Sequence, residues 1–168
     1  MTPNEHVKKV IGHYCPKPTK KSWFSTKLAA FKIEDAYNYG LKNSCWSVRK
    51  VALLHQDCSD SVTERGLSSP VWYERLTAGL AKHKRNKFVD ALLKDADVRV
   101  RAAAYKTALA EGLRDARDLA AKILAEKDIH SYFQNGIWNL GMIDDVARGM
   151  GLDDALTKAE AKFSSMEG

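Results

Sequence analysis

Four segments of the chain align without gaps when each is written from a polar residue: NSCWSVRKVALL from Asn43, SSPVWYERLTAG from Ser68, DADVRVRAAAYK from Asp95 and DIHSYFQNGIWN from Asp128. The sixth residue onward is Arg49, Glu74, Arg101 or Gln134. Before it stands an apolar residue, Val48, Tyr73, Val100 or Phe133, and four positions beyond that a small or apolar one, Ala52, Thr77, Ala104 or Ile137. A unit recurring after 25, 27 and 33 residues constrains the fold strongly. A lone helical hairpin cannot bury its apolar face, whereas stacked neighbours share one core. The i, i+4 spacing is helical, and the small side chains of Ala102 to Ala104 allow neighbouring helices to approach closely. Each segment reads as the second helix of a pair, with first helices expected over 25–40, 60–67, 87–94 and 115–126.

Local signals agree with an all-α chain. Asp60, Ser69, Asn86, Asp97 and Asp128 stand where N-caps would, Pro70 takes a first-turn position, and Gly40 is placed to stop the helix carrying Phe24, Leu28, Phe31, Ala36 and Tyr39. No alternating strand pattern occurs. Thr2, Pro3 and Glu5 form a helix-start signature for a short helix over about residues 3 to 13. The run CPKPTKKS then makes residues 15–22 an extended linker. The expected organisation is an N-terminal helix and basic arm over 1–22, followed by a helical repeat domain over 23–168.

Asp95 with Val100, Arg101 and Ala104, and next Asn43 with Val48, Arg49 and Ala52, resemble the second helix of HEAT-like α-solenoid repeats over roughly residues 25–142. Glu74 and Gln134 stand where that family has arginine, and the repeat spacings are shorter than the common HEAT length. The resemblance implies helical hairpins stacked in a short right-handed solenoid. It also implies that Arg49 and Arg101 serve an Asp–Arg ladder before any ligand. Arg101 is expected to meet the capping region of its own or an adjacent repeat, at Asp95 or Asn43.

The net charge of +6 is unevenly spread. Residues 1–32 hold seven Lys and one Glu, whereas 33–168 hold 20 basic and 20 acidic side chains. Residues 82–101 carry seven basic and three acidic groups, and 102–168 carry eight and eleven. A basic arm and a basic middle thus precede an acidic end, a distribution that favours anionic partners.

Catalytic patterns are missing. No Gly-rich phosphate loop, GxSxG, HExxH or EF-hand spacing occurs, and Gly149 and Gly151 read as the stop of one helix before Asp153 caps another. Asp144–Asp145 and Asp153–Asp154 are expected at helix starts, complementing the helix dipole rather than holding a metal. Cys15, Cys45 and Cys58 include no CxxC and read as reduced thiols. His6, His13, Cys15, His55 and Cys58 match no metal-ligand spacing. No cofactor, metal or small-molecule substrate is expected. The chain has no apolar run of about 18 residues, and MTPNEHVKKVIGHYCPKP carries charges where a secretory signal is apolar, so a cytoplasmic protein without a membrane partner is expected.

Trp46, Trp72 and Trp138 fall on the expected second helices, Trp138 in the core and the other two in first turns near Arg49, Lys50 and Arg75. A surface mixing aromatic and cationic groups suits protein or nucleic-acid partners. The expected partner-binding set is Trp46, Lys50, Trp72, Arg75, Lys82, Lys84, Arg85, Lys87 and Arg99, with Lys8, Lys9, Lys17, Lys20 and Lys21 in the basic arm. The expected function is non-catalytic: an adaptor docking a protein or protein complex. The alternative is a nucleic-acid-binding protein that grips phosphates through the arm and residues 82–101.

Overall fold

The structure, a computed structural model, describes residues 25–134 and 136–165, and of 25–32 the helical backbone alone. The expected helix over 3–13 and the basic arm lie outside the described residues. The described residues form helices joined by short turns, with no strand among them. In order they form α1 (Ser25–Lys42), α2 (Trp46–Leu54), α3 (Asp60–Leu67), α4 (Trp72–Leu80), α5 (Arg85–Leu92), α6 (Val98–Ala110), α7 (Ala116–Ala125), a 3-10 helix (Lys127–Phe133), α8 (Leu140–Ala147) and α9 (Leu152–Ser164). They fall into two compact units, one ending at Arg85 and one beginning at Asn86.

In the first unit α1 packs along α2, α3 along α4, and α2 also against α4, so two hairpins join through their second helices. The shared core takes Ile33 and Tyr37 from α1, Ala52 and Leu53 from α2, Val62 from α3 and Ala78 from α4. Small residues set the approach of these helices. A Cβ on Gly66 of α3 would stand 2.7 Å from the Ala78 Cβ and 2.8 Å from Leu53 Cδ2. Gly40 does not stop α1, which runs on to Lys42. It is buried where a Cβ would come within 2.5 Å of Arg49 Cγ, and the chain turns only at Ser44, whose φ is +53°. Ser59, not Asp60, caps α3, its hydroxyl accepting from the Val62 amide at 3.3 Å. Ser69 acts three residues ahead of α4, accepting from the Val71 amide at 3.2 Å.

In the second unit α6 packs against α7 and the 3-10 helix, α7 against α8, and α8 against α9. Ala102, Ala104 and Ala108 are buried, so the alanine run is a packing surface in which methyl groups permit close approach. Asp97 caps α6 as expected, and Asp115 and Asn139 cap α7 and α8. Asn86 instead lies inside α5.

The segment from Asp128 departs from the expected α-helix. It is a 3-10 turn that buries Ile129 and Phe133, and it is followed by a bend at Gly136 with φ +79°. Asp128 therefore lies within the 3-10 helix, and Trp138 sits half-buried in the bend rather than on a helix. Asp144 and Asp145 lie within α8 rather than at its start, paired with Arg148 and Lys158, each at 2.8 Å. Asp153 and Asp154 do occupy the first turn of α9, which follows the turn at Gly149 (φ +102°) and Gly151.

Candidate functional site

Arg49 is the fourth residue of α2 and ties three elements together. Its Nε donates to Glu74 Oε1 at 2.8 Å, Nη2 to Oε2 at 3.3 Å and Nη1 to the Gly40 carbonyl at 2.9 Å. Glu74, on α4 and only 2% exposed, also accepts from the Tyr37 hydroxyl at 3.2 Å and the Ser69 hydroxyl at 3.0 Å. Burial and the adjacent carboxylate push the Tyr37 hydroxyl up to about 12. Both ionic partners are thus bonded on several sides, which is what makes burial of a charge tolerable.

The same construction recurs in the second unit. Arg101, fourth residue of α6, donates from Nε to Glu126 Oε2 at 3.1 Å and from Nη1 to the Asp95 carbonyl at 2.7 Å, and a further bond joins Nη2 to the Asp128 carboxylate. The Tyr105 hydroxyl donates to Glu126, and burial with that carboxylate holds its pKa well above the usual tyrosine range. Arg101 therefore reaches the capping region at Asp95 as expected, but through the main-chain carbonyl. The Asp95 carboxylate accepts from the Asp97 amide at 2.8 Å instead. Glu74 and Glu126 were not foreseen as partners. The available signal was a spacing, since each glutamate follows its arginine by 25 residues.

Glu74 also displaces a neighbour. The repeat register puts Tyr73 at the buried apolar position, yet Tyr73 is 38% exposed while Glu74 is inside. Turning Glu74 toward Arg49 rotates Tyr73 outward. There the Tyr73 ring meets Trp46 edge-on at 4.7 Å and 66°, and Trp72 at 5.7 Å and 82°. The Arg49 guanidinium stands 5.8 Å from the centre of the Trp46 ring. Trp46, Lys50 and Leu54 follow at i, i+4 and i+8 on α2 and so share one face. Lys50 is exposed and Leu54 is 48% exposed.

The remaining expected site residues divide. Trp46 and Trp72 are brought together through Tyr73 on the two helix starts. Arg75, half-buried, donates to the Ser69 carbonyl at 2.9 Å and holds the turn before α4. Lys84 pairs with Asp60, and Arg99 with Asp97 through Nη2 at 2.6 Å. Lys82 is exposed, Arg85 half-buried, and the Lys87 ammonium lies 5.3 Å from the Phe88 ring centre. The arm lysines lie outside the described residues. An open groove of about 490 Å³ lies beside this construction, lined in part by Tyr37, Leu41, Arg65, Pro70 and Glu74.

Among the described residues no cluster of His, Cys, Asp and Glu is arranged to hold a metal ion, and no helix is long and apolar enough to cross a membrane. Cys45 and Cys58 are free thiols, and burial pushes the Cys58 thiol up from its ordinary value. No family model matches the chain, and no curated protein or solved structure matches it.

Proposed function

We propose that the protein is a non-catalytic binding protein that docks a protein partner on the face formed by α2 and α4, with HEAT-like hairpin stacking as its scaffold. The observation that carries this reading is the Trp46–Tyr73–Trp72 cluster, in which Tyr73 is 38% exposed between two half-buried tryptophans, with Leu54 exposed at the far end of the same helix α2. Aromatic anchors beside a cation are the residue types that dominate binding energy at protein interfaces. The packing of α2 on α4 and the Arg49–Glu74 bond between hairpins support the stacked-repeat reading. Tyr73→Ser with Leu54→Ser removes side chains that are 38% and 48% exposed, so the fold should lose about 1–3 kcal/mol and the variant is compared at matched folded concentration. Partner recovery in quantitative co-purification should fall several-fold. A variant that retained the full complement of partner would sink the reading.

Phosphate binding through Lys82, Lys84, Arg85, Lys87, Arg99 and the arm is the alternative that the charge excess supports. Affinity for a generic duplex should then fall with salt, each neutralised phosphate adding about 0.9 to the logarithmic slope. The pairing of Lys84 with Asp60 and of Arg99 with Asp97 weighs against it.

A further inference from the structure

We infer that the segment this face takes from its partner is acidic as well as apolar: a short amphipathic stretch whose aliphatic or aromatic side chains lie along Trp46, Tyr73 and Leu54 while its carboxylates meet Lys50 and the net positive charge of this unit. This rests on the docking reading above. The charge around the face supplies the argument. Residues 41–85 contain eight Lys or Arg and four acids, and of those acids only Glu74 lies on α2 or α4. Glu74 is buried and bonded to Arg49, so it offers no negative charge to a partner. Two further cations are matched by other acids, Lys84 by Asp60 and Arg65 by Glu34 at 3.6 Å. Lys42, Lys50 and Lys82 are exposed, and Lys50 stands between Trp46 and Leu54 on the same stripe of α2. A basic segment would meet like charge at Lys50, and a purely apolar one would leave that ammonium without a partner.

Ring geometry separates a peptide from a single-stranded nucleic acid. Base stacking uses open, successive aromatic faces. Here neighbouring rings meet at 66° and 82°, and a guanidinium already lies over the Trp46 ring. Edge-on rings leave notches that fit side chains better than they form a stacking platform. From Trp46 to Leu54 the stripe is about 12 Å long at the rise of an α-helix, room for about two turns of a docked helix.

The test uses the full-length protein and three fluorescein-labelled peptides that share one Leu and Ala pattern and carry Glu, Gln or Lys at every polar position. Anisotropy titrations at low and moderate salt should give the Glu peptide at least about tenfold tighter binding than the Gln peptide, the advantage shrinking with salt, and no measurable binding of the Lys peptide. Lys50→Glu should weaken the Glu peptide several-fold and leave the Gln peptide unchanged, whereas Leu54→Ser should weaken both. Equal binding of Glu and Gln peptides, both weakened by Leu54→Ser, overturns the acidic preference and leaves the docking face standing. Absence of Glu-peptide binding, or binding indifferent to both substitutions, overturns the two together. Displacement of the Glu peptide by oligothymidine that itself weakens in Tyr73→Ser overturns the inference in favour of a nucleic acid.

Discussion

Glu74 shows how one residue fixes both a core and a surface. Its carboxylate is 2% exposed and accepts from Arg49, Tyr37 and Ser69, while its neighbour Tyr73 is turned outward as a consequence. Removing one partner of a buried ion pair leaves an uncompensated charge, a loss of about 3–5 kcal/mol. Glu74→Ala should therefore lower the free energy of unfolding by that amount in urea titration, and Arg49→Met with Glu74→Leu should recover part of it. Arg101 is a milder case, because its partners Glu126 and Asp128 are 32% and 59% exposed. Arg101→Ala should cost about 1–3 kcal/mol, the range for a charged hydrogen bond lost with partial solvent rescue. Tyr37 adds a pH signature. Its hydroxyl is raised from about 10 to about 12, so its contribution is fully present below the unfolded value and is lost as pH rises through the folded one. Stability should decline between about pH 10 and 12, and Tyr37→Phe should make that decline shallower. An unchanged decline in the variant would mean that other groups set the alkaline limb.

At the scale of helices, much of the first unit was legible. First helices expected over 25–40 and 60–67 are Ser25–Lys42 and Asp60–Leu67, and Trp46 and Trp72 begin the two second helices. These follow from i, i+4 periodicity and turn residues, which act locally. What escaped was decided by tertiary contacts. The repeat register aligns Tyr73 with Val48, Val100 and Phe133, which are buried, and only the distant Arg49 makes Glu74 the better buried residue. Gly40 looked like a stop from its type, but a close crossing by Arg49 explains it. The segment from Asp128 did carry a readable warning in Asn135–Gly136, a turn dipeptide that repeat alignment overrode. Of the candidate site, Trp46, Trp72 and Lys50 were legible, whereas Tyr73 and Leu54 were not. Gly66 gives a test in which two effects oppose each other. Alanine favours a helix over glycine by about 0.8–1.0 kcal/mol, yet its Cβ would press on Ala78 and Leu53 inside 3 Å. Overpacking of this kind costs about 1–3 kcal/mol. Gly66→Ala should accordingly lower the melting temperature, and a rise would show that α3 shifts freely.

Over the whole molecule, charge is distributed more sharply than any chemical group. The chain up to Arg85 holds 15 basic and seven acidic side chains, and the chain from Asn86 holds 12 and 14. Residues 1–22 contribute five lysines and one glutamate, so deleting them lowers the net charge from +6 to +2. Long-range attraction depends on this total and acts before contact, so it belongs to the rate of encounter rather than to the lifetime of the complex. The Glu peptide should therefore associate several-fold more slowly with the truncated protein at low ionic strength while dissociating at the same rate. The two proteins should converge as salt rises, because the screening length falls from about 30 Å at 0.01 M to about 3 Å at 1 M. Stopped-flow anisotropy over that range separates the possibilities. Faster dissociation at every salt concentration would mean that the arm touches the bound segment. Equal association rates at low salt would mean that encounter is governed by the cations of residues 41–85, Lys50 on the face among them, and the lysines of residues 1–22 would then play no part in capture.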